Sequence, residues 1–168
     1  MTPVPDAAID LEPWHDFGLG AAGASAALAG LLVVAVSINI ESILKGHGLT
    51  ERAGATLIML STPLFVSVVL LTPDLPRGLS GGVLTAIGVA AGATLAWLHR
   101  VRAPQRTRMQ WFVTPVLPAA VMAVPTVLAG IGVLTGVGGG LHWLLLAVVA
   151  AFFGGLNQAW VLLIEILR

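Results

Sequence analysis

Hydrophobic positions in this chain run on for twenty residues at a time, and the polar positions collect between the runs. Five such stretches are each long enough to cross a hydrocarbon core, at about 20 residues per crossing. They cover about 17–44, 53–71, 79–98, 114–135 and 142–167. Helix breakers mark the joints: "KGHG" after the first run, "TPDLPRG" after the second, "RAPQ" after the third and "GVGGG" after the fourth. The connectors are short, so the pattern predicts an all-α membrane protein. It is one transmembrane domain spanning 1–168, a five-helix bundle with no soluble domain.

Lysine and arginine set the orientation. With the N-terminus outside, the cytoplasmic side holds Lys45, Arg52, Arg100, Arg102, Arg106, Arg108 and Arg168, and the outside keeps only Arg77. That imbalance follows the positive-inside rule and places the C-terminus in the cytoplasm. The acidic residues Asp6, Asp10, Glu12 and Asp16 then lie outside. Trp14 and Trp143 fall near the outer interface and Trp97 and Trp111 near the inner one, as an aromatic belt requires. The first apolar run is too long, and its leader too acidic, for a cleaved signal.

Small residues crowd the first run. Ala22, Ala26 and Gly30 make a flat strip at i, i+4 spacing, with Gly88 and Gly92 in the third run and Gly132 and Gly136 in the fourth. Such strips let helix backbones approach closely, within one subunit or between copies in a homo-oligomer. Pro63 and Pro125 each remove a backbone N–H and leave the carbonyls of Met59 and Val121 without their usual partners. Both predict kinks, with Ser61, Thr62 or a neighbouring helix meeting the freed groups, or a hinge. "TPVLP" reads as a helix start, with Thr114 as N-cap and Pro115 at N1.

Polarity inside the runs is confined to the ends. In "VAVSINIESILKGHG", Ser37 and Glu41 share a face with Gly30 and Val34, while Asn39 points about 200° away, with Ser25 and Leu32. Asn157, Gln158 and Glu165 occupy a sector of the last helix at the same depth. A buried amide in hydrocarbon without a partner costs several kcal/mol. Asn39 is therefore expected to meet Asn157 or Gln158, joining the first and last helices. Ser37, Glu41 and Glu165 are the candidates for a polar, acidic inner mouth that concentrates cations. The alternative for the two carboxylates is an interfacial salt bridge to Lys45, Arg52, Arg100 or Arg168. Arg100, Arg102, Arg106 and Arg108 are expected to rest on anionic lipid head groups.

Composition narrows the chemistry further. Only 10% of the residues are charged and 57% are hydrophobic, against about 25% charged in a soluble domain, so lipid is the natural solvent. A formal net charge of zero and the lack of a basic cluster with interleaved aromatics give no sign of a nucleic-acid partner, and none is expected. With no cysteine there are no disulfides or thiolate metal sites. His15, His47 and His99 show no metal-ligand spacing, and no serine stands in a nucleophile context. No enzyme, metal or cofactor is expected.

Several of these segments resemble a family. "WHDF" with "GASAALAGLLVVAVSINIESIL", then "LTERAGATL" and the closing "NQAWVLLIEILR", resembles a group of small multi-pass membrane proteins of actinobacteria. Some of these are labelled modulators of an FtsH-type membrane protease. The resemblance covers about 14–57 and 157–168 and implies a multi-pass protein of a bacterial plasma membrane. Two function classes follow from the residues: a homo-oligomeric ion channel with Ser37 and Glu41 at its inner mouth, or a non-catalytic accessory or regulatory protein that binds another membrane protein.

Overall fold

The computed structural model describes residues 12–46, 48–101, 117–136 and 139–166, and among these there is no strand. A 3-10 turn at Glu12–Trp14 leads into α1 (His15–Ile38), followed by the short α2 (Ile40–Lys45). Then come α3 (Leu49–Leu71), α4 (Arg77–Val101), α5 (Leu117–Thr135) and, after a 3-10 turn at Gly140–His142, α6 (Trp143–Ile166). Five of these helices are long and apolar enough to cross a membrane, in agreement with a small integral membrane protein.

Two boundaries differ from the hydrophobic pattern. The first run is not one helix to Leu44: the backbone leaves helical geometry at Asn39 (φ −108°, ψ 20°) and resumes as α2. The N–H of Asn39 is shared between the carbonyls of Ala35 and Val36, as helix ends often arrange it. α3 begins at Leu49, four residues before the apolar run. Gly48, at φ 75°, supplies the left-handed turn that reverses the chain there. The early start puts Glu51 in the first turn, where a carboxylate suits the helix dipole, and carries Arg52 into the helix. Thr114 and Pro115 lie outside the described residues.

Helix α3 holds the bundle together. It packs on α1, α4 and α6, while α5 packs on α4 and α6. The core divides into three layers along the bundle. Val66, Leu70, Leu84, Ala129, Val133 and Leu144 fill one end, Met59, Leu95, Met122 and Ala151 the middle, and Leu32, Ile43, Leu49, Leu60 and Leu162 the other end. α1 lies along α3 and meets α6 only marginally, which corrects the expected pairing of first and last helices. Ser25, fully buried, donates to the carbonyl of Leu60 and ties α1 to α3 instead.

The α4–α5 seam is the tightest contact. A Cβ on Gly88 would stand 2.9 Å from the Val127 nitrogen, and one on Gly81 2.8 Å from the Gly130 oxygen. Here the small residues serve packing within the subunit. Pro63 and Pro125 lie inside unbroken helices and both are buried. Thr62 and Ser61 donate to the carbonyl of Ile58, one residue before the Met59 carbonyl that Pro63 leaves free. Thr126 donates to Met122 beside Pro125.

Candidate functional site

Most of the sequence-selected polar residues gather at the end of the bundle where α1 stops. Asn39 sits on the packed side of α1 and is half-buried, but its amide nitrogen donates to Ala35 O of its own helix at 2.9 Å. It does not meet Asn157 or Gln158. The helix break explains the difference. Where the helix ends, Ala35 O shares the Asn39 N–H with Val36 O, and the Asn39 side chain supplies it with a second donor. Gln158 turns instead to the middle layer, where its Nε2 stands 3.1 Å from the sulfur of the fully buried Met59. Thioether sulfur is a weak acceptor, so this contact orients the amide more than it stabilises it. Asn157 is exposed.

The carboxylates part company at this end. Glu165 reaches across from α6 to Arg52 at 2.9 Å, joining the last turn of one spanning helix to the first turn of another. The Arg52 side chain is only 8% exposed and that of Glu165 is 38% exposed. The arginine is therefore held in a low-dielectric layer while the carboxylate keeps some hydration. This is the salt-bridge alternative for Glu165, and it takes that residue out of an acidic mouth. Glu41 pairs with Lys45 one turn on, at 3.7 Å, and both side chains are open to the surroundings. Ser37 is exposed, and its hydroxyl donates to Val33 O at 2.8 Å. Its hydrogen-bond demand is met inside its own helix.

The outward face of α1 is lined with small residues, as is that of α4 at Gly78, Gly82, Ala86 and Ala90. Gly23, Gly30, Val34 and Ser37 fall within roughly 60° of one another, nearly opposite the packed face of Gly18, Ala21, Ser25 and Leu32. Added Cβ atoms at Gly20, Gly23 and Gly30 would meet nothing within 4 Å, and Ala26 and Ala27 are exposed beside them. Of the strip expected from Ala22, Ala26 and Gly30, the last two face outward and Ala22 is half-buried. Only 17% of the apolar window of α1 is buried, against 56% for α3. By contrast the outward face of α6 is bulky, with Leu145, Val149, Phe153, Leu156 and Trp160.

At the opposite end of the bundle lies a feature the hydrophobic pattern did not single out. Arg77, first residue of α4, donates its Nε to Val133 O at 2.6 Å and so caps the C-terminal turn of α5. Gly136, at φ 74°, completes that cap by donating its N–H to Gly132 O. Beside it the rings of Trp14 and His142 meet edge to face at 5.1 Å. Trp14, Arg77 and His142 wall an open groove of about 250 Å³, floored by glycine backbone at Gly136, Gly139 and Gly140. The signal available in the sequence was the isolation of Arg77, the lone basic residue on its side of the positive-inside count.

Of the expected head-group arginines, Arg102, Arg106 and Arg108 lie outside the described residues, and of Arg100 only the helical backbone is described. Among the described residues no three His, Asp or Glu side chains come together in a way that would hold a metal ion. No protein-family model, characterised protein or solved structure matches this chain.

Proposed function

We propose that this chain is a non-catalytic, homo-oligomeric integral membrane protein whose copies meet through the outward face of α1. The observation that carries the reading is the open small-residue strip of Gly20, Gly23, Ala26, Ala27 and Gly30, which nothing in the subunit covers. In lipid there is no hydrophobic drive to bring helices together, so association rests on close van der Waals approach, and small residues permit it. Each glycine costs the helix about 1 kcal/mol relative to alanine. The glycines of the α4–α5 seam offset that cost in packing, whereas Gly20, Gly23 and Gly30 of α1 have no such contact within one subunit. Copies inserted the same way present the same strip at the same depth, so a parallel, two-fold pairing is self-complementary. The positive-inside count places this assembly with its N-terminus outside, and the family resemblance supports a bacterial plasma membrane.

A second reading, an ion-conducting pore, is favoured by one observation. Glu41, in α2 just beyond the end of α1, is highly exposed, so an assembly through α1 would bring several carboxylates to the same end of the bundle. Ser37 and Glu41 already have local partners, and for that reason assembly stands ahead of conduction.

The test is the molecular mass of the purified protein in mild detergent. The wild type is expected as an oligomer, and Gly23→Leu and Gly30→Leu as monomers with unchanged helix content, because the subunit leaves space for both side chains. A monomeric wild type sinks the reading. An oligomer that survives both substitutions removes α1 from the interface, and stoichiometric copurification of an unrelated membrane protein supports the accessory role instead. Cation flux from liposomes that falls in Glu41→Gln supports the pore.

A further inference from the structure

We propose that the groove between Trp14, Arg77 and His142 binds a phosphate group, presented by a phospholipid head group or by the free anion. Three features converge on it. The first is the cation. Arg77 is half-buried at the end of a spanning helix, and its Nε is engaged by Val133 O, which leaves the two terminal nitrogens of the guanidinium. Among the described residues neither Asp16 nor Asp74 forms an ion pair with it; the described pairs are Glu41–Lys45 and Arg52–Glu165. With no countercharge among the described residues, the cation beside the apolar layer favours an anion that enters the groove.

The second is the fit between donor and ligand. With Nε pinned to a backbone carbonyl, the guanidinium plane is fixed, and its remaining N–H groups form the planar fork that matches phosphate oxygens in bidentate fashion. The anchoring carbonyl belongs to the C-terminal turn of α5, whose negative dipole end would repel an anion. Arg77 and the Gly136 N–H cover that end.

The third is shape and setting. About 250 Å³ is smaller than the pockets that enclose drug-sized ligands, and suits a head-group fragment whose remainder stays outside. Trp14 and His142 give the groove an aromatic wall with polar tips, the residue chemistry found where one side of a site is apolar and the other wet. Gly139 and Gly140 contribute backbone to its lining.

The experiment is calorimetric titration of the purified full chain in a neutral detergent with three probes: dioctanoyl phosphatidylglycerol, dioctanoylglycerol and inorganic phosphate. The phospholipid is expected to bind and the diacylglycerol, which lacks the phosphate, is not. Arg77→Gln should weaken phospholipid binding about tenfold or more, the usual size of a charge-assisted hydrogen bond converted to affinity. Because Arg77 also caps α5, Arg77→Lys serves as the second variant. It keeps the charge and loses the fork, so its thermal stability should stay near wild type while its affinity falls. Competition by inorganic phosphate identifies a free-anion site, and its failure to compete identifies the lipid as the source; both support the proposal. Equal binding of the two lipids, no binding of either phosphate probe, or unchanged affinity in both variants overturns it.

Discussion

Glycine is used in two opposite ways in this bundle, and substituting alanine separates them. At Gly130 in α5 an added Cβ would stand 2.5 Å from the Thr85 nitrogen and 2.7 Å from the Gly81 oxygen, both of them backbone atoms of α4 that cannot rotate away. Restoring a normal separation of about 3.5 Å requires the two helices to part by roughly 1 Å, which forfeits about a quarter to a half of each contact along the seam. Overpacking of this kind costs about 1–3 kcal/mol, and with backbone on both sides the upper end applies. Alanine returns about 1 kcal/mol of helix propensity, so the net expectation for Gly130→Ala is a loss of about 2 kcal/mol. Gly30→Ala has the same propensity gain and nothing within 4 Å to strike, so it should raise the stability of the isolated subunit by about 0.5–1 kcal/mol. The assay is unfolding in mixed micelles as the fraction of dodecyl sulfate is raised, followed by tryptophan fluorescence at a dilution where copies are separate. Shifts of the same sign in both variants, or a Gly130→Ala protein as stable as wild type, would refute the reasoning.

Other outcomes follow from the polar end. Glu165→Gln should lose about 1–2 kcal/mol in the same unfolding assay, less than for a fully buried pair because the carboxylate keeps some hydration. The double variant Arg52→Met with Glu165→Leu should recover most of that loss, and a double-mutant cycle with no coupling would contradict the pairing. Glu41→Gln, at the exposed end of α2, should change stability by less than about 0.5 kcal/mol. Gln158→Leu should be neutral or slightly stabilising, since it exchanges a weak amide–thioether contact for apolar packing on Met59; a loss above about 1.5 kcal/mol would mean that the amide has a stronger partner. Asn39→Ala removes the side-chain bond to Ala35 O and should speed amide hydrogen exchange over 40–45, with little change elsewhere.

The number of spanning helices could be read directly from the chain, because bilayer thickness sets the length of an apolar run and every backbone group inside it must be paired along its own helix. The two-faced character of the first helix was legible for the same reason: a fixed 100° per residue places Asn39 with Ser25 and Leu32, and those two are indeed buried. Sequence left open what each face would meet. Depth matches Asn39 to Asn157 and Gln158, but depth does not specify which helices are neighbours. α1 docks on α3, so Asn39 finds its own helix end and Gln158 finds Met59. The rotation of each helix about its axis likewise decided which small residues are spent on packing: Gly81, Gly88 and Gly130 turn into a seam, whereas Gly23 and Gly30 turn outward. Arg52, one residue ahead of the expected helix start, became a buried partner for Glu165 only because the chain reversed at Gly48 and brought the two helix ends together. Span and face are local, governed by the bilayer and the helical repeat. Partnership depends on how rigid helices of unequal surface texture settle against one another, a property of the assembled bundle and of no single segment.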